Sequence, residues 1–389
     1  MPTSPNLEIK HTAPPLQYRH IHSATLSGHG GNRRTLQVLD LFSRYGLECE
    51  VIQDKIKGRK IVPNVTAILR GFLPGPSAPF SRWFSPRGLR NYGLIRAIGK
   101  TIKVSRNSVV IFDAFICAYS TLFSDIHKRG GKVIIFPHNI DSLSPGIRHP
   151  ISQAVSPQWA DLEIAALAEA DLVCCISREE QWLLSLHGIN ACYLPYEPTP
   201  EYRSKLSEIR RLRTSQIKDV VLILGTATNI PTLKGMQAIL KRAPDLVAAA
   251  KGLQIVVIGY GTEVLAPLVA DENLPITILG GVSDEVLDNY LLRAKVNLAY
   301  QEGTTGMLTR IQELLYCGIP VIANNIAARS YQNVPGVVVT ESIDEMLNVL
   351  TSFESADFMP PEIPEKLEQQ LVERIRQLQG FPKPTKIFL

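Results

Sequence analysis

Several things are missing from this sequence, and each absence closes a door. No apolar run reaches the roughly 18 residues that a membrane-spanning helix needs. The opening stretch MPTSPNLEIKHTAPPLQYRH has no apolar centre of the kind an export signal carries, so an unexported, cytoplasmic chain is expected. Cysteine is sparse: Cys49, Cys117, Cys174, Cys175, Cys192 and Cys317, with no C-x-x-C pair. These read as small buried hydrophobes in a reducing compartment, not as a zinc site or a disulfide frame. No D-x-D occurs, which argues against a divalent-metal site of that type. Neither G-x-x-x-x-G-K-[ST] nor G-x-S-x-G is present, so a P-loop and a hydrolase nucleophile elbow are excluded. The dinucleotide pattern G-x-G-x-x-G is never completed; the nearest approach, VVIGYGTEV at 256–264, lacks its third glycine.

What is present is a chain of 389 residues, long enough for two domains, with 45% apolar and 20% charged residues. The formal net charge of +5 is unevenly spread. From Lys55 to Phe112 there are twelve Lys or Arg and no Asp or Glu. Inside that block, Phe72, Phe80, Trp83, Phe84 and Tyr92 interleave with Arg82, Arg87 and Arg90. Rings beside cations suit an anionic lipid surface, where each nearby cation gains about 1 kcal/mol. We take Arg82, Trp83, Phe84, Arg87 and Arg90 as an expected acceptor or membrane contact. Nucleic acid is the weaker reading of such a block, and a solvated loop the bland one.

Short apolar strands alternate with helical patterns along the whole chain. The first half gives strands at HIHSATL, CEVI, SVVIFDA, KVIIFPHN, LVCCIS and ACYLPY; the second at DVVLILGT, LQIVVIG, ITILGG, VNLAY, PVIAN and GVVVT. Runs such as Val109-Val110-Ile111-Phe112 are apolar on both faces and belong in parallel sheets covered by helices. The β-α-β-α order, twice over, predicts an α/β protein of two doubly wound domains. The expected boundaries are 1–198, a polar linker carrying a short charged helix at 199–217, 218–360, and a C-terminal helix with tail at 361–389 packing toward the first domain. Open sheets of this type bind ligands at the carboxyl ends of their strands, so the cleft between the domains is the place to look.

Four loops there could carry chemistry. SGHGGNRR at 27–34 places Gly30 and Gly31 at a helix start, where bare N–H groups favour an anion; a ligand-free tight turn is the alternative. FPHNID at 136–141 puts His138 at a strand end, where it is either a ligand contact or structural. GTATNIPTLKG offers Gly225 at a strand end and Lys234 near a helix start, a diphosphate clamp or a solvated lysine. EGTTGMLTRIQELLYCG joins Thr304, Thr305, Gly306, Met307 and Leu308 to a helix carrying Arg310 and Glu313 on one face. Glu313 would accept two hydrogen bonds from a ribose diol, with an internal Arg–Glu pair as the alternative.

Taken in order, these segments resemble the retaining group 1 glycosyltransferases of family 4, which have the GT-B fold. PHNID, LEIAALAEADLVCCISREEQWLLSLHGI and LPYEP are similar to the second half of that family's acceptor domain. GTATNIPTLKG, VVIGYG, ITILGGVSDEVLDNYLLRAKVNLAY and IQELLYCGIPVIA resemble successive landmarks of its donor domain. The resemblance implies two Rossmann-like domains facing a cleft and a metal-independent, retaining transfer of a hexose or related sugar from a UDP- or GDP-type donor. It implies no further cofactor and a glycan or other glycoconjugate acceptor; the cation-rich aromatic block adds the expectation of a lipid-linked acceptor at the inner face of a membrane. It places Glu313 on the donor ribose and the Thr304–Leu308 backbone on the diphosphate and sugar. Gly30 and Gly31 fall near the phosphate, Lys234 as its clamp, His138 near the reacting sugar, and Val282 at the base. Thr305 stands where the family's first motif Glu would be, with Glu302 out of register, Thr226 replaces an Arg, and Arg310 replaces a Lys. Two alternatives therefore stay open: a GT-B protein that partners an active transferase, and a nucleotide-sugar epimerase.

Overall fold

An apolar run without alternation needs cover on both faces, and the chain supplies it twice. The computed structural model describes residues 16–26, 30–54, 95, 97–114, 119–144, 157–270, 274–354, 356–361 and 364–381. In the first domain, β1 (Leu16–His20), β2 (Cys49–Gln53), β3 (Val109–Asp113), β4 (Lys132–Phe136), β5 (Leu172–Cys175) and β6 (Ala191–Tyr193) form one sheet in the order β2-β1-β3-β4-β5-β6. All its pairings are parallel. Its helices include α1 (Gly30–Arg44), α2 (Ser120–Lys128), α3 (Pro157–Ala168) and α4 (Arg178–Leu186). Val109 to Phe112 are completely buried, with Phe112 and Val110 facing one core cluster and Ile111 and Val109 the other.

The second domain opens with α5 (Pro200–Arg213). It continues through β7 (Val220–Leu224), α6 (Ile230–Leu240), α7 (Ala243–Ala250), β8 (Gln254–Ile258), β9 (Ile276–Gly280), α8 (Asp284–Arg293) and β10 (Ala294–Ala299). It closes with α9 (Thr309–Tyr316), β11 (Val321–Asn324), β12 (Val337–Thr340) and α10 (Ile343–Thr351). The sheet order is β12-β11-β10-β7-β8-β9, again parallel throughout. The two doubly wound sheets expected from the alternation are present. Each order reverses at one place, between β1 and β3 in the first sheet and between β7 and β10 in the second. Ligand crevices of open α/β sheets form at such reversals, outside the carboxyl ends of the strands.

Segment 199–217, expected as a polar linker carrying a short charged helix, contains helix α5. Thr199 caps α5 by accepting from the Tyr202 N–H at 3.4 Å, and Pro200 sits in the first turn, where its missing N–H costs nothing. Leu206 and Ile209 enter the second domain's core, and the buried Arg213 donates to Ala294 O at 2.8 Å. Helix α5 thus packs as part of the second domain. In return, α11 (Glu365–Leu378) gives Leu371, Val372 and Ile375 to the first domain's core, and its Glu368 accepts two hydrogen bonds from Arg44 at 2.8 and 2.9 Å.

The first strand is displaced from the sequence reading. HIHSATL begins where β1 ends, and the strand is Leu16–His20 instead. Its sequence, LQYRH, lacks an apolar run, yet all five residues are buried. Burial is tolerated because Arg19 is neutralised by Asp54, 2.6 Å away just after β2, and also donates to Thr101 Oγ1 at 2.9 Å. The cation-rich aromatic block, with Arg82, Trp83, Phe84, Arg87 and Arg90, lies outside the described residues. Among the described residues no helix is long and apolar enough to cross a membrane.

Removing one partner of a buried ion pair leaves the other uncompensated. Asp54→Ala is expected to cost about 3 kcal/mol or more of unfolding free energy in urea titrations. A loss within about 0.5 kcal/mol, the size of an ordinary surface effect, would mean that Arg19 finds another partner.

Candidate functional site

The carboxyl ends of both sheets open onto one cavity of about 920 Å³. That volume lies within the roughly 300–1,000 Å³ typical of small-molecule sites. From the first domain it is lined by Gly30 and Gly31 at the start of α1, by Arg33 one turn in, and by His138 after β4. From the second it is lined by Gly225 after β7, Val282 after β9, the loop after β10, and Arg310 and Glu313 on α9.

The loop geometry depends on close backbone approach. A Cβ on Gly235 in α6 would fall 1.7 Å from Tyr300 O, so only glycine lets that helix press against the end of β10. Gly306 has φ +76°, and a Cβ there would lie 2.5 Å from His138 O, so the Thr304–Leu308 loop touches the first domain through a bare backbone. That contact is hydrogen-bonded. Thr305 Oγ1 accepts from Ile140 N–H at 2.9 Å and donates to Ile140 O at 3.1 Å. Gly306 N–H donates to Glu180 Oε1 at 2.9 Å, which also accepts from Ile140 N–H at 3.0 Å. The Gly306 amide, expected to point at a ligand anion, here meets a carboxylate of the facing domain. Arg329, buried behind the loop, holds it by donating to Gly306 O and Thr305 O, each at 2.6 Å, and to Gln301 Oε1 at 2.9 Å.

Charge is unevenly distributed in this space. Gly225 leaves room for Arg310: a Cβ there would meet Arg310 Nη1 at 2.6 Å. Arg310 has no ion pair among the described residues, and its Nε is shielded from solvent without a hydrogen-bond partner. Burial, and then the neighbouring charge of Arg329, lower its pKa to about 10; burial likewise lowers Arg329 to about 10. Both guanidinium groups stay protonated at neutral pH; the charges of Glu180 and Glu179 offset part of the burial of Arg329, whereas Arg310 has only Glu313 against burial and the charge of Arg329. Glu313, 6% exposed, faces the cavity from the same helix. Its two oxygens are engaged from the other domain, Oε2 by Arg33 Nη1 and Oε1 by the Tyr196 hydroxyl at 2.8 Å.

On the first domain's side, His138 Nε2 lies 3.0 Å from Asp113 Oδ1, and the ring stacks on His22 with centroids 4.9 Å apart. Burial works against the Asp113 carboxylate, but His138, Thr35 and Tyr18 together hold it below the usual range. Just beyond, Asp141 is raised to about 7, chiefly by burial and then by Glu163.

The cavity therefore gathers Gly30, Gly31, His138, Gly225, Val282, Thr304, Thr305, Met307, Leu308, Arg310 and Glu313 along its walls. Gly306 sits behind them in the domain contact. Lys234 is exposed on α6 and is not among the residues that line the cavity, although Thr232 on the same helix is. The sequence reading passed over Arg33, Tyr196, Glu180 and Arg329. Arg33 had a signal, since it follows the glycine pair within the first helical turn. Tyr196 and Glu180 act across the facing of the domains, whereas Arg329 is held within the second domain by Gln301, Thr305, Gly306 and Ile326.

Residues 218–352 match the family described as Glycosyl transferases group 1. No curated protein matches significantly. The crystal structure of Anabaena HepE in complex with UDP is similar at 13% identity and a TM-score of 0.55, covering 93% of this chain and 100% of that one. The α,α-trehalose 6-phosphate synthase of Burkholderia multivorans is similar at 10% identity and 0.57, covering 94% of each chain. The pneumococcal O-GlcNAc transferase GtfA, solved with UDP and GlcNAc, is similar at 10% identity and 0.53, again covering 94% of each. At such identities the likeness is one of fold, and that fold is GT-B.

Asp141 generates a pH prediction. A carboxyl whose folded-state pKa exceeds its unfolded value favours folding at low pH, and that contribution is lost as pH rises, here between about 4 and about 7. Asp141→Asn is expected to remove this loss, gaining on the order of a few kcal/mol at pH 8 relative to pH 4. Unfolding titrations across that range check it; parallel profiles for variant and wild type would take Asp141 out of the linkage.

Proposed function

From the match of residues 218–352 to that family as premise, we propose that the protein moves a hexose or related sugar from a UDP- or GDP-type nucleotide sugar to an acceptor hydroxyl with retention of configuration. One observation carries this reading. Arg310 is buried without an ion pair among the described residues where β7 and β10 end, beside a carboxylate able to bind a ribose diol. A nucleoside diphosphate supplies the missing negative charge and the diol together.

As the glycosidic bond breaks, its electrons leave with the diphosphate, whose negative charge grows. Arg310 and the amides at the start of α1 are fixed before the reaction, so they stabilise that charge without reorganising. Arg329 acts on the same region by holding the Thr304–Leu308 loop in place. The carboxylates lining the cavity are Glu313, engaged by Arg33 and Tyr196, and Asp284 and Asp288, which pair with Lys205. Retention is assigned to front-face attack by the acceptor within a short-lived ion pair, as the resemblance implies; that each carboxylate among the described lining residues already has a partner suits this route. His138, oriented by Asp113, is assigned to the reacting sugar. Arg310, not Lys234, is given the diphosphate, and the site is assigned no metal. The lipid-linked or glycan acceptor and an anionic membrane surface rest on the sequence of the cation-rich aromatic block.

A second reading has its own observation. The Gly306 amide and both Glu313 oxygens already have partners, which favours a GT-B protein that binds a nucleotide sugar and assists another transferase.

Release of UDP or GDP from a panel of nucleotide sugars tests both. Turnover is expected, and Arg310→Gln should reduce it by about two to three powers of ten. Saturable nucleotide binding with no turnover in the wild type would favour the assisting role, and an unchanged variant would remove Arg310 from the chemistry. In flotation assays the protein is expected to bind anionic vesicles at low salt and release from them at high salt; no binding at low salt would count against a membrane-borne acceptor.

A further inference from the structure

We infer that Arg33 is a positioning residue that acts through Glu313, so that gripping the donor and closing the cleft depend on the same carboxylate. The inference rests on the reading of Glu313 as the ligand of the donor pentose. Arg33 belongs to the first domain and Glu313 to the second, and the pair is their charged contact within the cavity. Arg33 is fixed at three points. Its Nε donates to Leu26 O at 3.0 Å, its Nη1 donates to Glu313 Oε2, and its guanidinium carbon stands 5.5 Å from the centre of the Tyr202 ring on α5. With the guanidinium anchored at Nε and backed by an aromatic face, its fork is aimed at Glu313 and not along the cavity toward Arg310. Tyr196, at the chain's first crossing between the domains, supplies the matching donor to the other carboxylate oxygen.

The arrangement leaves Glu313 usable. An ionised carboxylate offers about four lone-pair positions, and Arg33 and Tyr196 occupy one on each oxygen. One position per oxygen remains, which is the number a vicinal diol needs. Arg33 and Tyr196 also fix the plane of the carboxylate, and Arg33 offsets the cost of burying its charge. Opening the domains withdraws both donors together and leaves Glu313 loosely held. A ligand bound to Glu313 therefore favours the closed form by linkage, and closure in turn raises affinity for the ligand.

A double-mutant cycle read by calorimetric titration of UDP and of GDP tests this. Arg33→Ala and Glu313→Gln are each expected to weaken nucleotide binding by about 5- to 150-fold. The double variant should bind no worse than the weaker single one, since Arg33 works only through Glu313. Losses that multiply would mean that Arg33 touches the ligand independently, and the inference falls. Tyr196→Phe keeps the ring and removes one donor, so it gives a folded variant with a smaller loss if Arg33→Ala does not fold; unchanged binding there also overturns the inference. Small-angle scattering of the ligand-free protein adds a readout independent of the donor. Arg33→Ala should have a larger radius of gyration than the wild type, and an equal radius would refute the closure role. If the wild type binds neither UDP nor GDP, the donor reading fails, while scattering still decides whether Arg33 holds the cleft closed.

Discussion

A parallel sheet puts the carboxyl ends of all its strands on one edge, and this protein turns two such edges toward the same cavity. Every group in the candidate site follows from that constraint. Glycines at 30, 31 and 225, the amides at helix starts, and the short loops after β4, β9 and β10 all sit where strands give way to helices. Chain crossings reinforce the arrangement. Helix α5 leaves the first domain to pack into the second, and α11 returns from the second to the first. The facing edges are thus spanned at both crossings, not along one flexible tether.

Within the cavity the governing quantity is charge balance. Arg33 is paired with Glu313, whereas Arg310 has no ion pair among the described residues. Burial lowers the pKa of both Arg310 and Arg329; for Arg310 the charge of Arg329 adds to it, and for Arg329 Glu180 and Glu179 oppose it. A guanidinium withstands this because its starting pKa is high enough to leave it protonated. Burying the Arg310 guanidinium without an ion-pair partner costs stability. The loop from Thr304 to Leu308 faces the opposite pressure. Its polar groups are satisfied by Ile140, Glu180 and Arg329, so the loop is held in place before any ligand arrives.

Legibility in the sequence varied with the range of the interaction. Glu313 and Arg310 could be placed on one helical face because three-residue spacing is a local property, and the structure puts both on the cavity wall. Lys234 illustrates the limit. Its place near a helix start was visible, but the direction of its side chain depends on which face of α6 Gly235 presses against β10. The first strand failed for a related reason. LQYRH reads as polar, and only the Asp54 carboxylate, brought alongside by β2, makes its burial tolerable.

The sequence by itself determined the alternation of strands and helices, the two-sheet architecture and the loops where ligands could bind, because these follow from periodicity, glycine placement and helix-end chemistry over a few residues. Tertiary structure decided which of those loops face one another, which arginine is neutralised and which is not, and that Glu313 answers to Arg33 and Tyr196 across the cleft. Partners so far apart in the chain are set by how the two domains dock, and docking is a property of assembled surfaces that no local pattern encodes.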